Sequence, residues 1–278
     1  ARNLLVAGNV ITRLLAFGTD SNPPGPCYNG HSDGIEIFDV ADSQFIGNLV
    51  YDVRSTAAVF FGNWADSPAE YCRNVRFENN VFLTPESGFV GYLSDADGVV
   101  LVNNVFWRGI YGGIVVGKNV TGLDVANNVL HSVNYHHSRE PFVPEEHRFR
   151  HNLLATTEAQ QTPPIVGKDG NFVTGDPGFA GIPAIDGFSD PTAYRQPAAA
   201  YPQSEKEASN EAEATEAVSA EPETPRVRLE DFAPKPGSPL LDAGSGAGAP
   251  TKDALGRARP RGKGVDIGAF EGALAPAR

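Results

Sequence analysis

The chain has 278 residues, 41 % of them hydrophobic, and a formal net charge of −12, which suffices for one sizeable folded body with a smaller appendage. No basic stripe exists to follow a phosphate backbone, which excludes nucleic acid as a partner, and no apolar run of about 18 residues exists to insert into a membrane. The two cysteines, Cys27 and Cys72, belong to no CxxC or His/Cys cluster; that excludes a zinc site of this kind and leaves a disulfide and two separate thiols equally open.

In chain order, the first phrase to recur is Val6-Ala-Gly-Asn-Val-Ile11. It returns at Phe45–Val50, Phe77–Phe82, Leu101–Phe106, Val125–Leu130 and Phe149–Leu154. The shared asparagines Asn9, Asn48, Asn80, Asn104, Asn128 and Asn152 are spaced by 39, 32, 24, 24 and 24 residues, the first two steps being 24 plus insertions of 15 and 8. A fixed period of this size marks stacked units, because one unit cannot bury its own apolar face. Apolar runs such as Gly34–Phe38 and Gly113–Val116 are bounded by Gly, Asn, Asp and Ser and lack helical spacing, which excludes helical repeats. A propeller blade needs about 40 residues, whereas 24 residues hold three short strands and three turns, so the period predicts a parallel β-helix with one coil per repeat. On this reading each repeated asparagine takes the same turn, tolerates the left-handed backbone conformation and hydrogen-bonds to the asparagines above and below. The chain begins inside a repeat at Ala1; an uncovered first coil would be an aggregation-prone edge, so further upstream coils are expected.

The β-helix is assigned to residues 1–173, with Pro/Gly-rich insertions at 18–33 and 63–74 and an irregular stretch at 133–147 on its rim. Residues 174–196 and 226–272 form a C-terminal capping segment, in which Leu240, Leu241, Ile267 and Phe270 are expected to cover the apolar end of the stack. Between its two halves, residues 197–225 carry seven Glu against one Lys and read as a disordered acidic linker; 273–278 is a tail.

Outward side chains in a β-helix form columns with a spacing of about 4.8 Å. Three residues past each repeated asparagine stand Thr12, Tyr51, Leu83, Trp107, His131 and Ala155. The aromatic middle of this column suits the apolar faces of sugar rings, or packing beneath a neighbouring loop. The next column holds Arg13, Asp52, Thr84, Arg108 and Ser132, and Tyr51, Trp107, Arg108 and His131 are the candidate substrate-binding residues. The densest polar group is Gly30–Asp39. Its His31, Asp33 and outward Glu36 converge where a strand begins, with Ile35 and Ile37 inward, which is the composition of a general acid/base site. Asp33-Gly34 also reads as a tight turn. For a lyase, His31 or Tyr28 is a candidate base and Arg54 or a calcium ion a neutraliser, with Asp39 and Asp42 as hard oxygen ligands; Tyr135, His136, His137 and Arg139 form a second such set about four coils away.

The ending Asp176-Pro-Gly-Phe179, Pro236-Gly-Ser-Pro-Leu-Leu-Asp-Ala-Gly244 and Asp266-Ile-Gly-Ala-Phe-Glu271 resembles that of exported bacterial right-handed parallel β-helix proteins of the pectate-lyase-like type. The resemblance implies the fold and an extracellular, cell-surface or periplasmic location. His31-Ser-Asp-Gly-Ile-Glu36 is similar in part to the NTDG-I-D phrase of polygalacturonases, but the paired aspartates, GHG and R-x-K of that family are missing, which argues against glycoside hydrolysis. The expectation is an exported, monomeric carbohydrate-active protein that engages polysaccharide, lyase-like on an acidic glycan and with calcium as the one candidate cofactor. The alternative is a non-catalytic cell-surface or adhesion module that binds glycan.

Overall fold

The computed structural model describes residues 1–14, 33–53, 57–61, 71–83, 89–107, 113–135, 147–155, 165–181 and 227–272. Every regular element among them is a β-strand, apart from one 3-10 turn at Leu229–Phe232. The strands form three sheets. The first contains Leu5–Ala7, Ala41–Ile46, Cys72–Glu78, Val100–Val102, Asp124–Ala126 and Arg148–Arg150, with Ala96–Asp97 and Val120–Thr121 paired alongside. The second runs through Val10–Leu14, Leu49–Val53, Val81–Leu83, Val105–Trp107, Val129–Leu130, Leu153–Leu154 and Phe172–Val173, and the third through Ile35–Ile37, Ala57–Phe61, Phe89–Leu93, Ile114–Val116 and Val133–Tyr135. From Ile35 onward the chain visits third, first and second sheet in rotation. Neighbouring strands are parallel and stand one repeat apart, as in Val81↔Val105↔Val129 and Phe77↔Leu101↔Val125. This all-β, parallel arrangement is compatible with a parallel β-helix.

Period-two alternation sorts the side chains. In Leu49–Val53, Val50 joins a core fed by all three sheets, while Leu49 and Tyr51 face the other way; Val53 at the strand's end departs from the alternation and joins the core too. In that core Phe45 and Phe77 stack at 4.5 Å, and Phe77, Phe82 and Phe106 continue edge-on or tilted. Each fully buried ring contributes about 1.5–3 kcal/mol.

The asparagine ladder is present, and each rung is fully used. The Oδ1 of one asparagine accepts both the backbone N–H and an Nδ2–H of the asparagine one repeat earlier. Asn80 donates to Asn104 at 2.9 and 2.9 Å, and Asn104 to Asn128 at 2.8 and 3.0 Å. The second Nδ2–H reaches a strand carbonyl: Phe45 from Asn80, Phe77 from Asn104, Leu101 from Asn128 and Val125 from Asn152. Both amide hydrogens and both lone pairs are thereby satisfied in side chains with no solvent exposure at Asn48, Asn80, Asn104, Asn128 and Asn152. The sequence reading stops one rung short. Asn152 donates to Asn171 at 3.0 and 2.9 Å, and Asn171 donates to the carbonyl of Phe149.

The left-handed backbone falls one residue earlier than expected. Positive φ occurs at Gly8, Gly47, Asn79, Asn103, Asn127, His151 and Gly170, not at the ladder asparagines themselves. One residue bends the chain and the next holds its neighbour, which accounts for the Asn-Asn doublets.

The C-terminal segment is not a cap on the end of the stack. Residues 174–181 and 227–272 run along the outer face of the second sheet as a strap. Its Phe179, Phe232, Leu240, Ile267 and Phe270 share one buried cluster with Leu49, Val81, Leu83, Val105, Val129 and Leu153, which belong to five successive strands of that sheet. The bending residues hold it from the side. Asn79 donates to the Lys252 carbonyl at 2.8 Å, and Asn103 to the carbonyls of Asp266 and Gly268 at 2.8 and 3.0 Å. Asn127 exchanges two hydrogen bonds with the Ser245 backbone, and His151 Nδ1 lies 3.3 Å from the Ala243 carbonyl. Arg76 and Arg150 donate to the carbonyls of Gly248 and Ala247.

A buried charge network fixes the strap. Arg259 and Glu271 pair at 2.7 Å with 1 % and 0 % side-chain exposure, and Arg259 also donates to Asn79 Oδ1 at 3.1 Å. Burial pulls the Arg259 guanidinium below its usual value while Glu271 beside it pushes back. Asp253 accepts the N–H groups of Leu255, Arg257 and Glu271, and Asp266 those of Asp242 and Gly272. The three motifs of the ending meet each other here, since Ser238 also donates to the Pro177 carbonyl and Ile267 N–H to the Leu240 carbonyl.

Candidate functional site

The outer face of the third sheet carries the register column Glu36↔Phe60↔Tyr92↔Val115↔Asn134. Its origin is the alternation in Ile35-Glu-Ile37. Ile37 is 2 % exposed in the core, Ile35 packs against the core, and Glu36 points out and is exposed. Phe60 and Tyr92 stack face to face, with centroids 5.0 Å apart and planes 11° from parallel. The Tyr92 hydroxyl lies over Gly117, where a Cβ would come within 2.8 Å of it, so only glycine leaves room for the ring. Burial first, then the Asp95 carboxylate, pushes the Tyr92 phenol above its usual value, so it stays protonated at neutral pH.

Asp33-Gly34 precedes this column. Gly34 stands at a bend and has no positive φ. Its reason for lacking a side chain is crowding, because a Cβ would come within 2.5 Å of the Ala58 carbonyl oxygen on the adjoining strand. Its N–H donates to the carbonyl of Ala57, which ties the start of the strand to the next repeat. Asp33 is half-buried, with both carboxylate oxygens out of solvent.

The sequence-named residues separate into three groups. Asp33 and Glu36 lie together at the start of the third sheet; His31, with Tyr28, Arg54, His136, His137 and Arg139, lies outside the described residues, as does Arg108. Thr12, Tyr51, Leu83 and Trp107 form the expected column in register. The strap covers it. Tyr51 and Trp107 are each only 8 % exposed, and Trp107 meets His131 and Phe179 edge-on at 5.7 and 5.3 Å. Trp107 Nε1 is buried without a hydrogen-bond partner, so its ring works here as apolar packing and offers no platform to a sugar. In the neighbouring column Ser132 is fully buried, its hydroxyl accepting the Gly113 N–H at 3.2 Å.

Asp39 and Asp42 both take left-handed turns beside the first sheet. Asp42 Oδ1 accepts the Asn74 amide at 3.0 Å, and no three His, Cys, Asp or Glu side chains converge to hold a metal ion among the described residues. Cys72 is a free thiol, 1 % exposed, donating to the Ile37 carbonyl at 3.8 Å. Burial pushes its pKa up and keeps it unreactive; Cys27 lies outside the described residues. Sequence reasoning missed the bending-residue column and the Arg259 network. The doublets Asn79-Asn80, Asn103-Asn104 and Asn127-Asn128 were the available signal for the first. No protein-family model matches the chain, and no curated protein matches it either.

Proposed function

We propose that the three sheets wind as a right-handed parallel β-helix of an exported, pectate-lyase-like protein, and that the outer face of the third sheet engages an acidic polysaccharide as a lyase. The observation that supports this most is the exposed Glu36 carboxylate in register with the flat Phe60–Tyr92 pair, with the sheltered Asp33 at the head of the same strand. In the β-elimination, a carboxylate or His31, two residues before Asp33 in the chain, takes the proton α to the uronate carboxyl group. The electron pair forms the double bond, the β C–O bond breaks, and the glycosidic oxygen leaves with a proton taken from water or handed back by the protonated base. Phe60 is itself buried at 7 % exposure, so the half-buried Tyr92 ring stacked on it is the aromatic surface offered to the sugar. Asp39 and Asp42 do not fit a calcium site, since one carboxylate oxygen of Asp42 is taken by Asn74 and no third acid joins them among the described residues, so no step is routed through calcium.

A non-catalytic glycan-binding module is the second reading. It is favoured by Val115, which places no acid or base on the repeat after Tyr92. The deciding assay follows ultraviolet absorbance of unsaturated product from pectin, alginate and glycosaminoglycans. Product from wild type and none from Glu36→Gln or His31→Ala supports the lyase; glycan binding with no product on any of them overturns it in favour of the module.

A further inference from the structure

Between Lys252 and Lys263 the strap places five cations, Lys252, Arg257, Arg259, Arg261 and Lys263, against one acid, Asp253, in a chain of net charge −12. Two of these cations are spent inside. Arg257 Nε meets Asp253 at 2.6 Å, and Arg259 meets Glu271 at 2.7 Å. The three that remain, Lys252, Arg261 and Lys263, are exposed and form no ion pair among the described residues. Asp253 and Glu271 have no side-chain exposure, so their negative charge is in the interior; with the exposed Asp242 carboxylate beside Gly262 and Gly264, three surface cations stand against one surface acid and the loop surface is left net positive.

The loop is also held in shape. Arg259 N–H donates to the Thr251 carbonyl, Asp253 N–H to the Arg257 carbonyl, Arg261 N–H to Glu271 Oε1 and Gly264 N–H to Asp242 Oδ1. A ligand that lands on it therefore orders little backbone. Alongside lies an open cleft of about 450 Å³, walled by Lys252, Thr251 and Ala254 on the strap and by Ile46, Gly47 and Glu78 on the repeats, the Glu78 carboxylate being paired with Arg76 at 2.7 Å. Where later repeats send an asparagine across to the strap, Gly8 and Gly47 carry no side chain and a Cβ there would meet nothing within 4 Å, which leaves the cleft vacant.

We propose that this loop and cleft form a second glycan site, away from the third-sheet face. An acidic polysaccharide would lay its carboxylates or sulfates on Lys252, Arg261 and Lys263 and set one sugar ring in the cleft. The proposal rests on the acidic-glycan reading above, and it resolves a tension in that reading by giving a strongly acidic chain a local cationic anchor for an acidic polymer. It does not depend on turnover.

The test is affinity electrophoresis of the full chain in gels containing polygalacturonate or dextran, with the triple variant Lys252→Ala/Arg261→Ala/Lys263→Ala beside wild type and urea midpoints recorded for both. Expected are retardation of wild type by polygalacturonate and not by dextran, about tenfold weaker retardation of the variant at an unchanged urea midpoint, and a fall in wild-type retardation with added salt. Equal retardation of variant and wild type, equal retardation by dextran, or tighter binding to phosphatidylglycerol vesicles than to polygalacturonate overturns the proposal. Since the readout is binding, a failed lyase assay leaves this result standing, and a failed binding test leaves the lyase assay to be judged alone.

Discussion

Two outer faces of the molecule carry aromatic side chains in register, and they have different fates. On the second sheet, Tyr51 and Trp107 disappear under the strap among Phe179, Phe232 and Phe270. On the third sheet, Phe60 is buried as well, but the Tyr92 stacked on it stays half-buried beside an exposed Glu36. An outward column of aromatics is therefore ambiguous by itself. Its neighbours decide: Leu49, Val81, Val105 and Val129 surround the first pair and make an apolar seam that needs covering, whereas Glu36 and Asp33 flank the second.

The sharpest way to break the comparison is to loosen the strap. Arg259→Leu leaves the fully buried Glu271 without its counter-charge and should cost about 3–5 kcal/mol, whereas Glu36→Gln on the third sheet should stay within about 0.5 kcal/mol. Urea unfolding of the two variants checks this, and similar losses would show that the faces are not built differently. Next comes a contrast within one doublet. Asn104→Leu strands the buried N–H and Nδ2–H donors of Asn80 and should cost about 4 kcal/mol, whereas Asn103→Ala gives up two hydrogen bonds to the strap and should cost about 2 kcal/mol.

A smaller, stabilising effect is expected from excising residues 183–226. Gly181 N–H donates to the Asp231 carbonyl at 2.9 Å and Ala180 N–H to the Ala233 carbonyl at 2.8 Å, so both ends of this excursion are already tied together. Replacing it with a four-residue turn shortens the loop roughly tenfold and should raise unfolding free energy by about 2 kcal/mol; a destabilised product would mean that the excursion supports the strap. The smallest effect concerns Asp266, whose carboxyl is pushed above its usual range by burial, against the N–H groups of Asp242 and Gly272. A raised folded-state pKa means that the folded chain takes the proton first, so stability from this group is fullest at low pH and is lost as pH rises through the folded value. Wild type should therefore gain on Asp266→Asn as pH falls through the carboxylate range, measured as the difference in urea midpoints.

The repeat was legible because only a primary amide supplies two donors and two acceptor lone pairs in one side chain, and the extra methylene of glutamine would push that amide off the fixed spacing of the rungs. Asn171 escaped because its step is 19 rather than 24 residues, although Gly170-Asn171-Phe172-Val173 repeats the pattern of Gly8-Asn9-Val10-Ile11. The inward Ile37 and outward Glu36 followed from alternation alone. The strap could not be placed, since Asn79 meets Lys252 and Arg259 across more than 170 residues and no local pattern encodes such a contact. For the same reason the burial of Tyr51 and Trp107 was invisible. The motif Asp266–Glu271 was legible as a motif, but its buried pairing with Arg259 was not.

The ladder has a consequence for how such a chain can change over time. Its steps run 39, 32, 24, 24, 24 and 19 residues, yet every rung makes the same pair of bonds to the next. The clasp has a fixed pitch, while the thread between clasps is of any length. Mutation can splice text into the thread, and so build new loops over the third-sheet face, without altering where any later rung sits; only the asparagine and the residue that bends before it are beyond editing.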